Sequence, residues 1–87
     1  MPRQLKYQSR SVISSILEVT NGNKVRRTEI QYKTYLSYKL LKEYLIQLLQ
    51  CDLIEYIEGE KTFKTTPKGM QVLQTINEME ELFVKTR

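Results

Sequence analysis

Histidine and tryptophan are absent from the 87 residues, and there is a single cysteine, Cys51, beside only two prolines and three glycines. Each shortage removes a class of chemistry. Without histidine no Ser-His-Asp triad can be assembled, and with one cysteine a Cys/His zinc site lacks ligands, so no metal or catalytic residue is assigned. A lone cysteine also leaves no internal disulfide. It stands next to Asp52 rather than a cation, which argues against a reactive thiolate. The carboxylates fall at an exposed hairpin tip and on an acidic helix face, away from any partner base, so the chain reads as a non-enzyme without cofactor or evident small-molecule ligand. No run approaches the roughly 18 apolar residues of a membrane span, and MPRQLKYQSR lacks the apolar stretch of a secretion signal. The expectation is a cytoplasmic protein with no membrane partner.

Of what is present, charge is the most informative. The net charge is +4, but residues 1–47 hold nine Lys/Arg against three acids and residues 48–87 hold five against seven. The positive surface therefore belongs to the N-terminal half. Such asymmetry suggests a polyanion-binding face joined to a segment with another task, the alternative being a merely solvated surface. A chain this short makes only a small core, so oligomerisation is plausible from size alone.

Periodicity orders the elements. Ser9 or Ser11 can cap a helix with Val12, Ile13, Ile16, Leu17 and Val19 on one face, ended by Asn21-Gly22-Asn23. Lys24-Val25-Arg26 reads as a brief extended segment before a helix capped near Thr28 and running to about Thr34, with Ile30 as its core residue. Ser37 caps a helix from Tyr38 to about Gln50, in which Leu41, Tyr44, Leu45, Leu48 and Leu49 share a face opposite Lys39, Lys42, Glu43, Ile46 and Gln50. Two helices joined by Tyr35-Leu36-Ser37 match a helix-turn-helix. The period then switches toward two: Ile54 and Tyr56 alternate with Glu55 and Ile57, a Glu-Gly-Glu-Lys tip follows, and Lys61–Thr65 is again β-leaning. Ile54, Tyr56 and Phe63 are the expected core side chains of this hairpin. Thr66-Pro67 supplies a cap and a first-turn proline for a last helix to about Lys85.

The segments KTYLSYKLLKEYLIQLL, LIEYIEGEKTFKTTPKG and LQTINEMEEL together resemble the small archaeal winged helix-turn-helix proteins, thaumarchaeal-type ones especially. The resemblance runs from Ser9 to Leu82 and is most specific at Leu36-Ser37-Tyr38, at Thr62-Phe63-Lys64-Thr65-Thr66 and at Lys68-Gly69. It implies a winged helix-turn-helix DNA-binding domain of the kind described as a transcriptional regulator, and some relatives dimerise through an antiparallel coiled coil of the last helix. Cys51-Asp52 departs from the pattern, since relatives usually place Asn-Gly or a similar pair there. The fold expected is mainly α with a small β-hairpin, a winged helix-turn-helix with an extended C-terminal helix. Residues 1–68 form the domain, and residues 69–87 form a helix that is a candidate coiled-coil dimerisation segment.

In a helix-turn-helix the second helix enters the major groove with its N-terminal residues nearest the bases. Ser37, Tyr38, Lys39 and Lys42 occupy that place, with a solvated lysine face as the alternative; Glu43 is better suited to pairing with Lys39 than to reading a base. Arg26 and Arg27 before the second helix, and Lys33 near its end, are candidate phosphate contacts. Lys61 and Lys64 can add contacts from the hairpin, although Glu58 and Glu60 oppose them. Arg3, Lys6 and Arg10 form either a basic arm or a frayed terminus. In the last helix Val72, Ile76, Met79 and Phe83 follow a/d spacing, which suggests a homodimer, though the pattern spans under two heptads and an ordinary amphipathic helix remains the alternative. Double-stranded DNA is the expected partner. The rival is a winged helix used for protein–protein contact without DNA readout.

Overall fold

The computed structural model describes residues 12–85, with side chains described through Leu82. The candidate caps Ser9 and Ser11, the arm residues Arg3, Lys6 and Arg10, and the Phe83 side chain lie outside the described residues. Helix α1 occupies residues 12–19; α2 spans Arg27–Thr34, α3 Tyr38–Gln50, β1 Ile54–Ile57, β2 Thr62–Thr65 and α4 Pro67–Lys85. The order matches the one read from periodicity.

The core is built where the apolar stripes converge. Ile16 and Leu17 of α1, Ile30 of α2, Leu41, Leu45 and Leu48 of α3, Ile54 and Phe63 of the hairpin and Leu73 of α4 are all buried together with Val25. Each such side chain contributes about 1.5–3 kcal/mol by leaving water. A polar clasp fixes α1 on the hairpin. The Thr20 hydroxyl lies 2.9 Å from the Ile16 carbonyl, the Thr65 hydroxyl donates to the Leu17 carbonyl at 2.8 Å, and the two hydroxyls are 2.7 Å apart. The Thr65 N–H also donates to the Thr20 carbonyl at 2.9 Å. This satisfies polar groups that would otherwise be costly to bury.

Val25 extends the two-stranded sheet by one residue. Its N–H donates to the Phe63 carbonyl at 2.9 Å and its carbonyl accepts from the Phe63 N–H at 2.7 Å. That pairing also decides where α2 begins. The cap is Arg26, extended and without a side-chain hydrogen bond, rather than a residue near Thr28. Because Val25 is held in the sheet, the chain turns into the helix at once, and the Arg26 carbonyl accepts from the Glu29 and Ile30 N–H groups at 3.0 and 3.1 Å. Tertiary pairing overrides the threonine's capping tendency.

Tyr35 closes α2 in the left-handed region, φ 60°. Ser37 caps α3 as expected, its hydroxyl accepting from the Leu40 N–H at 3.2 Å. The departure at Cys51-Asp52 has a clear form. Asp52 takes the left-handed position, φ 62°, while its N–H donates to the Leu49 carbonyl and the Leu53 N–H to the Leu48 carbonyl at 3.0 and 2.9 Å. These two bonds make a Schellman ending with Asp where glycine is commonest.

The hairpin pairs Ile54 with Thr65, Glu55 with Lys64, Tyr56 with Phe63 and Ile57 with Thr62. Lys61 belongs to the turn, not to the strand, and adopts φ 58°. Burial departs from the expectation at two positions. Tyr56 is 43% exposed and Leu49 is also exposed, because both line a surface groove at the edge of the core. Thr66 caps α4, its hydroxyl accepting from the Gly69 N–H at 3.0 Å and donating to the Asp52 carbonyl at 2.7 Å.

Candidate nucleic-acid interface

The N-terminal turn of α3 presents the side chains that the sequence singles out as candidates for nucleic-acid contact. Capping by Ser37 sets the helix axis, and Tyr38, Lys39 and Lys42 project from its exposed side. The Arg27 guanidinium stacks over the Tyr38 ring at 4.6 Å. Lys42, one turn further along, lies 6.0 Å from the same ring. Tyr38 stays 51% exposed, so it is a surface aromatic with two cations near its ring rather than a core residue. Arg27 is also held by the Gln31 side chain, to which its Nη1 donates at 3.1 Å. A guanidinium has five N–H donors, so others remain for an anion.

The expected cations are not all brought together. Arg26 and Arg27 share a groove with Lys61, where Thr28, Leu49, Tyr56 and Phe63 complete the lining; Arg27 joins that groove to Tyr38 and Lys42. Lys33 is separate. It pairs with Glu29 at 3.1 Å, and six positions at roughly 100° each turn it to a different side of α2 from Arg27. Lys64 stands opposite Glu55 in the strand register, on the sheet face away from Phe63. Lys39 projects from the first turn of α3, exposed beside Tyr38.

The tip charge is less repulsive than the sequence implies. Glu60 pairs with Lys24 at 3.2 Å, leaving Glu58 as its other acid. Sequence reasoning missed Lys24 in this role because the partners are 36 positions apart. It also gave Arg27 as a phosphate contact without its stacking on Tyr38, for which adjacent exposed aromatic and basic residues are only a weak signal.

The family model described as winged helix-turn-helix matches residues 6–83, most of the chain. The protein belongs to the winged helix-turn-helix family. In this winged helix α2 and α3 form the helix-turn-helix, β1 and β2 form the wing, and α4 is the added C-terminal helix. Membership points to DNA binding in general, the family being typically non-enzymatic. No curated protein matches the chain. No winged-helix element among the described residues is long and apolar enough to cross a membrane, and no group of three potential metal ligands occurs among them.

Proposed function

We propose that the protein binds double-stranded DNA as a homodimer and acts as a transcriptional regulator or chromatin-associated factor. The observation that carries the reading is the Arg27–Tyr38–Lys42 cluster, which gathers two cations and an aromatic hydroxyl at the end of α3 that a helix-turn-helix presents to the major groove. Lys39 supplies a further cation from the same turn, and Arg26 and Lys61 flank it as phosphate contacts. Lys33 and Lys64 contribute less, since each lies beside an acid. The dimer reading is supported by the exposed apolar surface of α4, with residues 69–87 as the dimerisation segment.

A gel-shift titration of duplex DNA across salt tests the reading. Replacing Lys39 and Lys42 together by Ala should lower affinity by tenfold or more at low salt and reduce the salt slope by about 2, with circular dichroism unchanged. Wild-type affinity that is absent at low salt, or insensitive to salt, sinks the proposal. Tyr32 and Tyr35, 79% and 91% exposed, favour a second reading in which the winged helix docks on a protein; there the double variant leaves function unchanged.

A further inference from the structure

The groove between the start of α2, the end of α3 and the wing has a lining that contact with a DNA backbone does not require. Its volume is about 550 Å³, inside the roughly 300–1,000 Å³ range of small-ligand clefts. Its floor is apolar: Tyr56, 43% exposed, meets the buried Phe63 at 4.9 Å between ring centroids with planes tilted by 48°, and Leu49 belongs to the same lining. Arg26, Arg27 and Lys61 supply three positive charges, and no acid lines the groove among the described residues. Glu60, next to Lys61 in sequence, is engaged by Lys24. The cap of α2 makes no side-chain hydrogen bond, so first-turn N–H groups at Arg27 and Thr28 are left to an outside acceptor.

The geometry points to this groove as a binding site for a small planar aromatic carboxylate, its ring on Tyr56, which is backed by the buried Phe63, and its carboxylate between Arg26, Arg27 and Lys61. An inorganic or backbone phosphate satisfies the cations but leaves the aromatic floor wet; a neutral aromatic covers the floor but leaves the cations unanswered. Only a ligand with both parts complements the whole lining. Arg27 belongs to the groove and to the Tyr38 stack together, so a bound carboxylate competes with duplex DNA. That last step rests on the DNA-binding reading; the site itself does not.

The probe is 2-naphthoate, titrated into the 87-residue chain and followed by amide NMR, with 2-naphthalenemethanol and inorganic phosphate as the neutral and ring-free controls. Saturable shifts gathered at Thr28, Tyr56 and Phe63, with affinity for naphthoate at least tenfold above either control, are expected. The variant Tyr56→Ser should weaken naphthoate roughly fivefold, the scale of one lost ring contact, and its amide spectrum reports whether the fold is kept. Should that variant unfold, Arg26→Gln provides the same comparison from the cationic side. Equal response to phosphate makes the groove a simple anion cradle and overturns the proposal. Equal response to the alcohol, or no saturable shift, overturns it as well. A gel shift then adds naphthoate to the duplex complex, where displacement is expected and unchanged DNA affinity overturns the competition. Failure of the duplex to bind without naphthoate removes the DNA reading and leaves the NMR result standing.

Discussion

Gly69 sits in the first turn of α4, where propensity alone favours alanine by about 1 kcal/mol. The packing opposes that gain. A Cβ there would land on the Leu53 carbonyl oxygen and lie 2.7 Å from the Thr65 methyl, so the start of α4 approaches the turn after α3 too closely for any side chain. Since backbone cannot swing aside as a flexible side chain can, Gly69→Ala should be destabilising by about 1–3 kcal/mol, the cost of overpacking. The midpoint of urea unfolding checks it, and a raised midpoint shows that the junction can open. Tyr35 is the converse case. It is left-handed at φ 60° with its ring in solvent, so little packing offsets a backbone cost of about 1 kcal/mol. Tyr35→Asn should therefore raise the same midpoint by up to about 1 kcal/mol, and a lowered midpoint would mean that the ring stabilises the fold in place.

At the scale of elements, the structure divides the wing by task. Ile54 and Phe63 join the core, Thr65 clasps α1, and Tyr56 with Lys61 faces the groove. Glu58 and Glu60 are what remains against phosphate. Because Glu60 is already paired with Lys24 in an exposed ion pair, worth about 0–1 kcal/mol, the repulsive share falls mainly on Glu58. Changing both to Gln should tighten duplex binding about two- to fivefold at low salt, with the gain shrinking as salt rises. Equal affinity for the variant and the wild type makes the hairpin a brace only. The elements themselves were legible because local signals sufficed: Ser37 and Thr66 cap the helices they precede, and the leucine spacing of α3 marks its buried side. The start of α2 was not legible, since Val25 pairing with Phe63 sets it from 38 positions away. For the same reason the groove was invisible in the sequence, its lining coming from residues 26–28, 49, 56, 61 and 63.

At the scale of the whole molecule, the open matter is how α4 divides its apolar surface. Read along the sequence, Val72, Ile76, Met79 and Phe83 form one stripe. In the fold the stripe is shared: Val72 packs against the domain core, Ile76 is half-buried, and Met79 is 40% exposed. Among the described residues of the stripe Met79 is therefore the one left for a second chain, and its neighbours Glu78, Glu80 and Glu81 make that end a poor surface for DNA by charge. A pairing that uses this end alone would be short, so we expect a dimer that forms reversibly with concentration rather than one that holds at every dilution. Sedimentation velocity over a concentration series should show the weight-average mass rising from 10.4 kDa toward twice that value. Met79→Glu places a charge where the helices would meet and should shift the association midpoint by tenfold or more, about 1.4 kcal/mol, without altering the monomer's unfolding. A wild-type chain that stays monomeric at high micromolar concentration excludes the dimer, and with it any two-fold arrangement that sets two Tyr38–Lys42 faces on half-sites about 34 Å apart. A dimer indifferent to Met79→Glu would mean that the two chains meet elsewhere, and that α4 serves only to complete its own domain.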